Sequence, residues 1–112
     1  FEGAIDLLSY VEMTQDYETN KLALGMLSDA PLETFLEEHP QIRSIAFCLD
    51  NDQPGREATE RLMRKYYERG YEVEDAPPPS AYKDYNECLA DLKRKMPQEQ
   101  DLTAKSAGKM KK

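Results

Sequence analysis

The stretch from Ile45 to Gly55, Ile-Ala-Phe-Cys-Leu-Asp-Asn-Asp-Gln-Pro-Gly, constrains this chain more than any other. Five uncharged residues, Ile45 to Leu49, run into two aspartates one residue apart, and a Pro-Gly break follows. A short continuous apolar run closed by turn residues is the pattern of a strand buried on both faces. Asp50 and Asp52 then stand at the carboxyl end of that strand. In open α/β sheets this is the edge at which ligands bind.

The rest of the chain supplies the partners such a strand needs. Ala4, Ile5, Leu8 and Val11 predict an amphipathic helix over residues 4–14. Glu2, just ahead of it, reads as the end of a first strand that is truncated, most of it lying before Phe1. Leu22 to Leu27, with Gly25 inside, reads as a second short buried strand. Ser28-Asp29-Ala30-Pro31 opens a helix with Leu32, Phe35 and Leu36 on its apolar face, and His39-Pro40 stops it. After the Ile42 to Leu49 strand, a helix from Pro54 to Arg69 carries the stripe Ala58, Leu62, Tyr66 and ends at Gly70. Tyr71 to Ala76 is strand-like, Pro77-Pro78-Pro79 is a stiff connection, and Tyr85, Leu89 and Leu92 mark a last helix before Met96-Pro97. Strand and helix thus alternate four times, which predicts an α/β fold with a four-stranded, mainly parallel sheet. Right-handed crossovers bring every strand's carboxyl end to one edge.

Charge narrows the function. The 112 residues carry a net charge of −7, and residues 101–112 hold four lysines against Asp101, leaving −10 on the other hundred. So acidic a body is not a simple electrostatic binder of nucleic acid; it meets a polyanion only with metal ions or a basic neighbour. Residues 1–96 form the folded domain in this reading, and 97–112 a flexible basic tail. No apolar run approaches a membrane span, so no membrane partner is expected. Cys48 and Cys88 lack metal-ligand or redox spacing and read as buried thiols of a cytoplasmic protein.

Acid gathers at the ligand edge. Glu2 with Asp6, then Asp29, the Asp50/Asp52 pair and Asp84 each follow a strand position. Like charges at 4 Å repel by roughly 1 to 4 kcal/mol per pair, so such a cluster calls for a cation. Hard divalent ions, Mg²⁺ (or Mn²⁺), suit carboxylate oxygens and share their shell with phosphates. The EF-hand pattern fails on Asp50 to Arg61, which puts Pro54 at position five, Arg61 in place of the bidentate glutamate, and a strand where a helix belongs. A phosphatase of the haloacid dehalogenase type, with Asp50 as nucleophile and Asp52 as general acid, is an alternative that leaves Glu2 without a part.

The segments Phe1-Glu2-Gly3-Ala4-Ile5-Asp6, Asp50-Asn51-Asp52-Gln53-Pro54-Gly55 and Lys83-Asp84-Tyr85-Asn86 together resemble the toprim domain. That domain is shared by primases, type IA and II topoisomerases, nucleases and ribosomal-RNA maturases. The nearest likeness is to the DnaG-primase-like toprim domains of phage, plasmid and conjugative-element proteins, and it spans residues 1 to about 95. The resemblance implies a Rossmann-like three-layer sandwich. It also implies a role for each residue: Glu2 as the acid/base group or a metal ligand, Asp50 and Asp52 as Mg²⁺ ligands, and Asp84 at a second metal position. Asp6, Gly55, Lys83 and Asn86 support them, Lys83 as a phosphate contact. Pro54 departs from the small residue usual there, though proline is at home in a helix's first turn. The implied function is metal-dependent phosphoryl transfer on DNA or RNA, by priming or strand cleavage. Flanking domains of the parent protein would bind the nucleic acid, and residues 1–112 alone would be inactive. The alternative within the resemblance is a non-catalytic docking or regulatory module.

Overall fold

The computed structural model describes residues 1–95; the tail predicted over 97–112 lies outside the described residues. The elements run α1 (Ala4–Thr14), α2 (Ala30–Glu38), β1 (Ser44–Phe47), α3 (Gln53–Glu68), β2 (Glu72–Asp75) and α4 (Tyr85–Lys95). β1 and β2 pair in parallel, with Ser44 opposite Glu72 and Phe47 opposite Asp75, and α3 makes the crossover between them. The Glu72 N–H donates to Arg43 O at 2.9 Å and the Ala76 N–H to Phe47 O at 2.8 Å, carrying the ladder past both ends of the pair.

The helices start and stop where local chemistry says. Asp52 caps α3 by accepting from the Gly55 N–H at 2.9 Å, and a proline sits in the first turn. Past the other end, Gly70 takes a φ of 96°, the left-handed region that glycine enters without a Cβ penalty. Ala58, Leu62 and Tyr66 are buried as one stripe, packed with Leu32 and Leu36 of α2 and with Phe47 and Leu49 from β1 and its continuation. α2 is pinned to α3 by Lys65, whose Nζ lies 2.6 Å from both Asp29 and Glu33, and by the Tyr66 hydroxyl, which donates to Asp29 at 2.8 Å.

α1 and α4 pack on each other. Ile45, Phe47 and Leu49 of β1 and its continuation join the α2–α3 layer. Phe1, Tyr10 and Tyr85 form an aromatic triangle with centroids 5.1 to 5.8 Å apart. Both cysteines are free and buried. No helix among the described residues is long and apolar enough to cross a membrane.

Two sequence expectations are corrected. The predicted sheet had four strands; the described residues form two. Residues 22–25 make only the backbone bonds of a single parallel bridge: the Phe1 amino group donates to Leu22 O (3.0 Å), Leu24 N–H to Phe1 O (2.9 Å) and Gly25 N–H to Glu2 O (2.8 Å). Gly25, at a φ of 80°, turns the chain and ends the extended stretch. The second correction concerns α1. Its expected apolar face is the outer one, with Ile5 and Leu8 about 60% exposed. Facing α4 instead are Asp6 and Ser9, which bond to Asn86, and Tyr10, which packs edge-on against Tyr85.

The parallel ladder also dictates which way β1 can still pair. Arg43 and Phe47 send their carbonyls to β2, so the backbone groups of Ser44, Ala46 and Cys48 face the other edge. Along that edge runs a cavity of about 470 Å³, with Leu22, Leu24 and Phe1 on one wall and Ile45, Phe47 and Leu49 on the other.

Candidate metal centre

The chain leaves β1 through Cys48 and Leu49, both buried, and reaches Asp50 while still only 8% exposed. Two other elements deliver carboxylates to the same point. The first turn of α1 brings Asp6 and the start of α4 brings Asp84. One oxygen from each of Asp6, Asp50 and Asp84 lies within 4.8 Å of the others.

Electrostatics registers the crowding. Burial first, then the charges of Glu2, Asp6, Asp84 and Asp52, push the Asp50 carboxyl up to about 7. Asp6 is raised as well, by burial above all and by the Asp84 charge, against the Asn86 N–H that stabilises its anion. A fold that holds carboxylates this way stores repulsion that a divalent cation relieves.

Each acid is held by its own local device. Asp6 Oδ1 accepts from the Asn86 backbone N–H at 3.1 Å, and Ser9 Oγ, 3.2 Å from Asn86 Oδ1, fixes that residue's side chain. Asp84 Oδ1 accepts from the Glu87 N–H at 2.8 Å, while Glu87 Oε1 takes the Lys83 N–H at 2.7 Å, a reciprocal cap on α4. Asp52 spends one oxygen on the α3 cap and stands outside the group of three. Its charge is the weakest of the four that act on Asp50. Gly55 is required by the approach of α3: a Cβ there would strike the Asp50 carbonyl oxygen and sit 2.9 Å from Asp52 Oδ1.

Glu2 is partly buried, and its Oε1 is buried with no hydrogen-bond partner among the described residues. An unpartnered buried carboxylate oxygen is costly. Glu2, like Asp52, stands outside the group of three, although its charge is the largest of those acting on Asp50. The three clustered aspartates are hard oxygen donors and fit Mg²⁺ or Mn²⁺. Lys83 is exposed at the rim, and its charge is felt by Asp6.

Two further acids are committed elsewhere. Asp75 is gripped by Arg56 through two bonds of 2.8 and 2.9 Å. Asp29, expected at the ligand edge, is paired to Lys65 and Tyr66; burial works against its anion, but those bonds prevail and its carboxyl is lowered.

Asn51 has a part that sequence reasoning missed, having been read only as the spacer between two aspartates. Its Nδ2 lies 2.7 Å from Pro78 O, 2.9 Å from Tyr82 O and 3.3 Å from Pro79 O. Its backbone N–H donates to Lys83 O at 2.6 Å. The signal was the triple proline: three residues without N–H present only acceptors and demand a donor from elsewhere.

Comparison with known proteins agrees with this geometry. No curated protein and no solved structure matches the chain. A family model described as Toprim-like matches residues 1–89, which include Glu2, Asp6, Asp50, Asp52 and Asp84. Toprim domains have a Rossmann-like α/β fold, act on nucleic acid, and bind Mg²⁺ through acidic residues. With the match covering most of its length and the carboxylates drawn together at the end of a parallel strand, this chain belongs to the Toprim-like family.

Proposed function

We propose that this chain carries the divalent-cation site of a phosphoryl-transfer domain acting on nucleic acid, in primase-like synthesis or strand cleavage. The observation that carries the reading is the meeting of Asp6, Asp50 and Asp84 within 4.8 Å, with the charge of Glu2 acting on Asp50. When bound, Mg²⁺ (or Mn²⁺) neutralises the phosphate and eases the build-up of charge on the attacking and leaving oxygens.

The chain's own residues divide the remaining work. Asp50, sunk at the end of β1, is the rigid floor of the site, and Asp6 and Asp84 close on it from two helices. Asp52 stays near enough to add its charge while it caps α3. In this reading Glu2 takes a proton from the nucleophile, a sugar hydroxyl in synthesis or water in cleavage, and the lack of a hydrogen-bond partner for its Oε1 among the described residues supports that role. Lys83 at the rim offers a phosphate contact, and Asn86 orients Asp6 through its backbone N–H. The acidic body leaves the grip on DNA or RNA to basic surface outside residues 1–95, in other domains of the parent protein.

The docking-module alternative gives no reason to hold carboxylates together at this cost, and the phosphatase alternative leaves Glu2 and Asp6 idle. Calorimetric titration with Mn²⁺ tests the reading. Wild type should bind, and Asp50→Asn and Glu2→Gln should bind at least about tenfold more weakly. In the full parent protein, Glu2→Gln should abolish turnover of nucleic acid. A wild-type chain that takes up no Mn²⁺ would overturn the proposal.

A further inference from the structure

We infer that Asn51 is a positioning residue of the carboxylate site, and that it sets the distance between Asp50 and Asp84. The inference rests on the reading of that site as a divalent-cation centre.

Asp84 is the only one of the three clustered carboxylates reached through a proline-rich loop, and a loop needs something to hold it. Pro77 to Pro79 contribute no N–H, so this segment cannot tie itself down by backbone pairing. Asn51 supplies what is missing. Its side-chain amide has two N–H bonds, and the carbonyls of Pro78 and Tyr82 lie 2.7 and 2.9 Å from its nitrogen, with Pro79 O farther off at 3.3 Å. Its backbone N–H reaches Lys83 O at 2.6 Å. Pro78 is fully buried by the wrapping. The Tyr82 N–H in turn donates to Pro79 O at 2.9 Å, closing the loop on itself.

The residue after Lys83 is Asp84, and the residue before Asn51 is Asp50. A single side chain therefore links the segments that carry two of the three clustered carboxylates, at the point where each segment enters the site. Only a short amide meets the geometry. Aspartate would set an acceptor against three carbonyl oxygens, and alanine would take this donor from the Pro78 and Tyr82 oxygens, leaving Pro79 O with the Tyr82 N–H. Residues that orient ligands in this way typically contribute ten- to a hundredfold to metal affinity.

Two readouts on the 112-residue chain test this, with Asn51→Ala as the main variant and Asn51→Ser, which keeps one donor, as the second. In the metal-free protein, amide hydrogen exchange at Tyr82, Lys83 and Glu87 should quicken at least about tenfold while the amides of α3 keep their protection. In Mn²⁺ titrations, Asn51→Ala should weaken binding by about tenfold or more. In combination with Asp84→Asn it should weaken binding no further than Asp84→Asn alone, because both act through one ligand. Unchanged affinity in a folded Asn51→Ala chain overturns the inference, and so does additivity with Asp84→Asn. Unfolding of both variants overturns it too, since it would make Asn51 a requirement of the fold rather than of the site. If wild type binds no Mn²⁺, the cation reading fails while the exchange result still reports whether Asn51 holds the loop.

Discussion

Asp6 Oδ1 accepts the backbone N–H of Asn86, eighty residues further along, at 3.1 Å. That bond joins the first turn of α1 to the first turn of α4, so one carboxylate both docks two helices and faces Asp50 and Asp84. The two duties are separable. Asp6→Asn keeps an acceptor for Asn86 and removes the charge; Asp6→Ala removes both. The first should retain wild-type thermal stability to within about 1 kcal/mol and lose roughly tenfold in Mn²⁺ affinity. The second should lose the affinity and also about 1 to 3 kcal/mol of stability, as measured by denaturant unfolding.

The raised carboxyl of Asp50 makes stability depend on pH in a direction opposite to that of most acids. Folded, it titrates at about 7; unfolded, near the ordinary aspartate value of roughly 4. Between those values the folded chain holds a proton that the unfolded chain has lost, so stability of the metal-free protein falls as pH rises through the window. The total is on the order of 4 kcal/mol. Asp50→Asn should flatten that slope and raise the metal-free Tm at pH 8 by about 4 °C or more, while removing Mn²⁺ binding. A metal-free wild type equally stable at pH 5 and pH 8 would count against the buried charge.

Cation uptake should carry the same signature. Binding at the cluster displaces the Asp50 proton, so Mn²⁺ affinity should climb as pH rises from about 6 to 8, with proton release visible as a buffer-dependent calorimetric heat. Affinity flat across that range would remove Asp50 from the binding set.

Gly55→Ala places a Cβ against the Asp50 carbonyl oxygen, a backbone atom with little room to yield. The expected cost is about 3 kcal/mol in unfolding free energy, together with weaker Mn²⁺ binding as Asp50 is pushed aside. A neutral outcome in both measurements would show that α3 can slide.

Tyr66→Phe is the matched control. It deletes one bond to Asp29, which keeps Lys65, and should cost about 1.5 kcal/mol while leaving Mn²⁺ affinity unchanged. A change in affinity would show that the α2–α3 clamp bears on the site.

Much of this architecture is legible in the residues themselves. Helix boundaries follow from caps and periodicity, since Asp52, Pro54 and Gly70 act on their own neighbours, and Ala58, Leu62 and Tyr66 share a face by spacing alone. The acid at the end of β1 is equally local. What escaped depends on partners far along the chain. The face of α1 toward α4 carries Asp6 and Ser9, which meet Asn86, a contact that apolar periodicity cannot register. Asp29 is held on α3 by residues 36 and 37 positions away rather than meeting the other acids. Asn51 looks like a spacer until Pro78 and Tyr82 are folded around it.

The open edge of β1 bears on the site in a mechanical sense. Among the described residues, Ser44, Ala46 and Cys48 have no backbone partner on the cavity side, and two residues beyond Cys48 the same strand direction ends in Asp50. A segment of polypeptide laid along that edge would engage those groups in steps of about 3.3 Å, and a slip of one step would reverse which of its side chains face each layer. The edge therefore works like a ruler whose zero mark is the buried carboxylate: its alignment sets how far any added strand reaches toward the carboxylates.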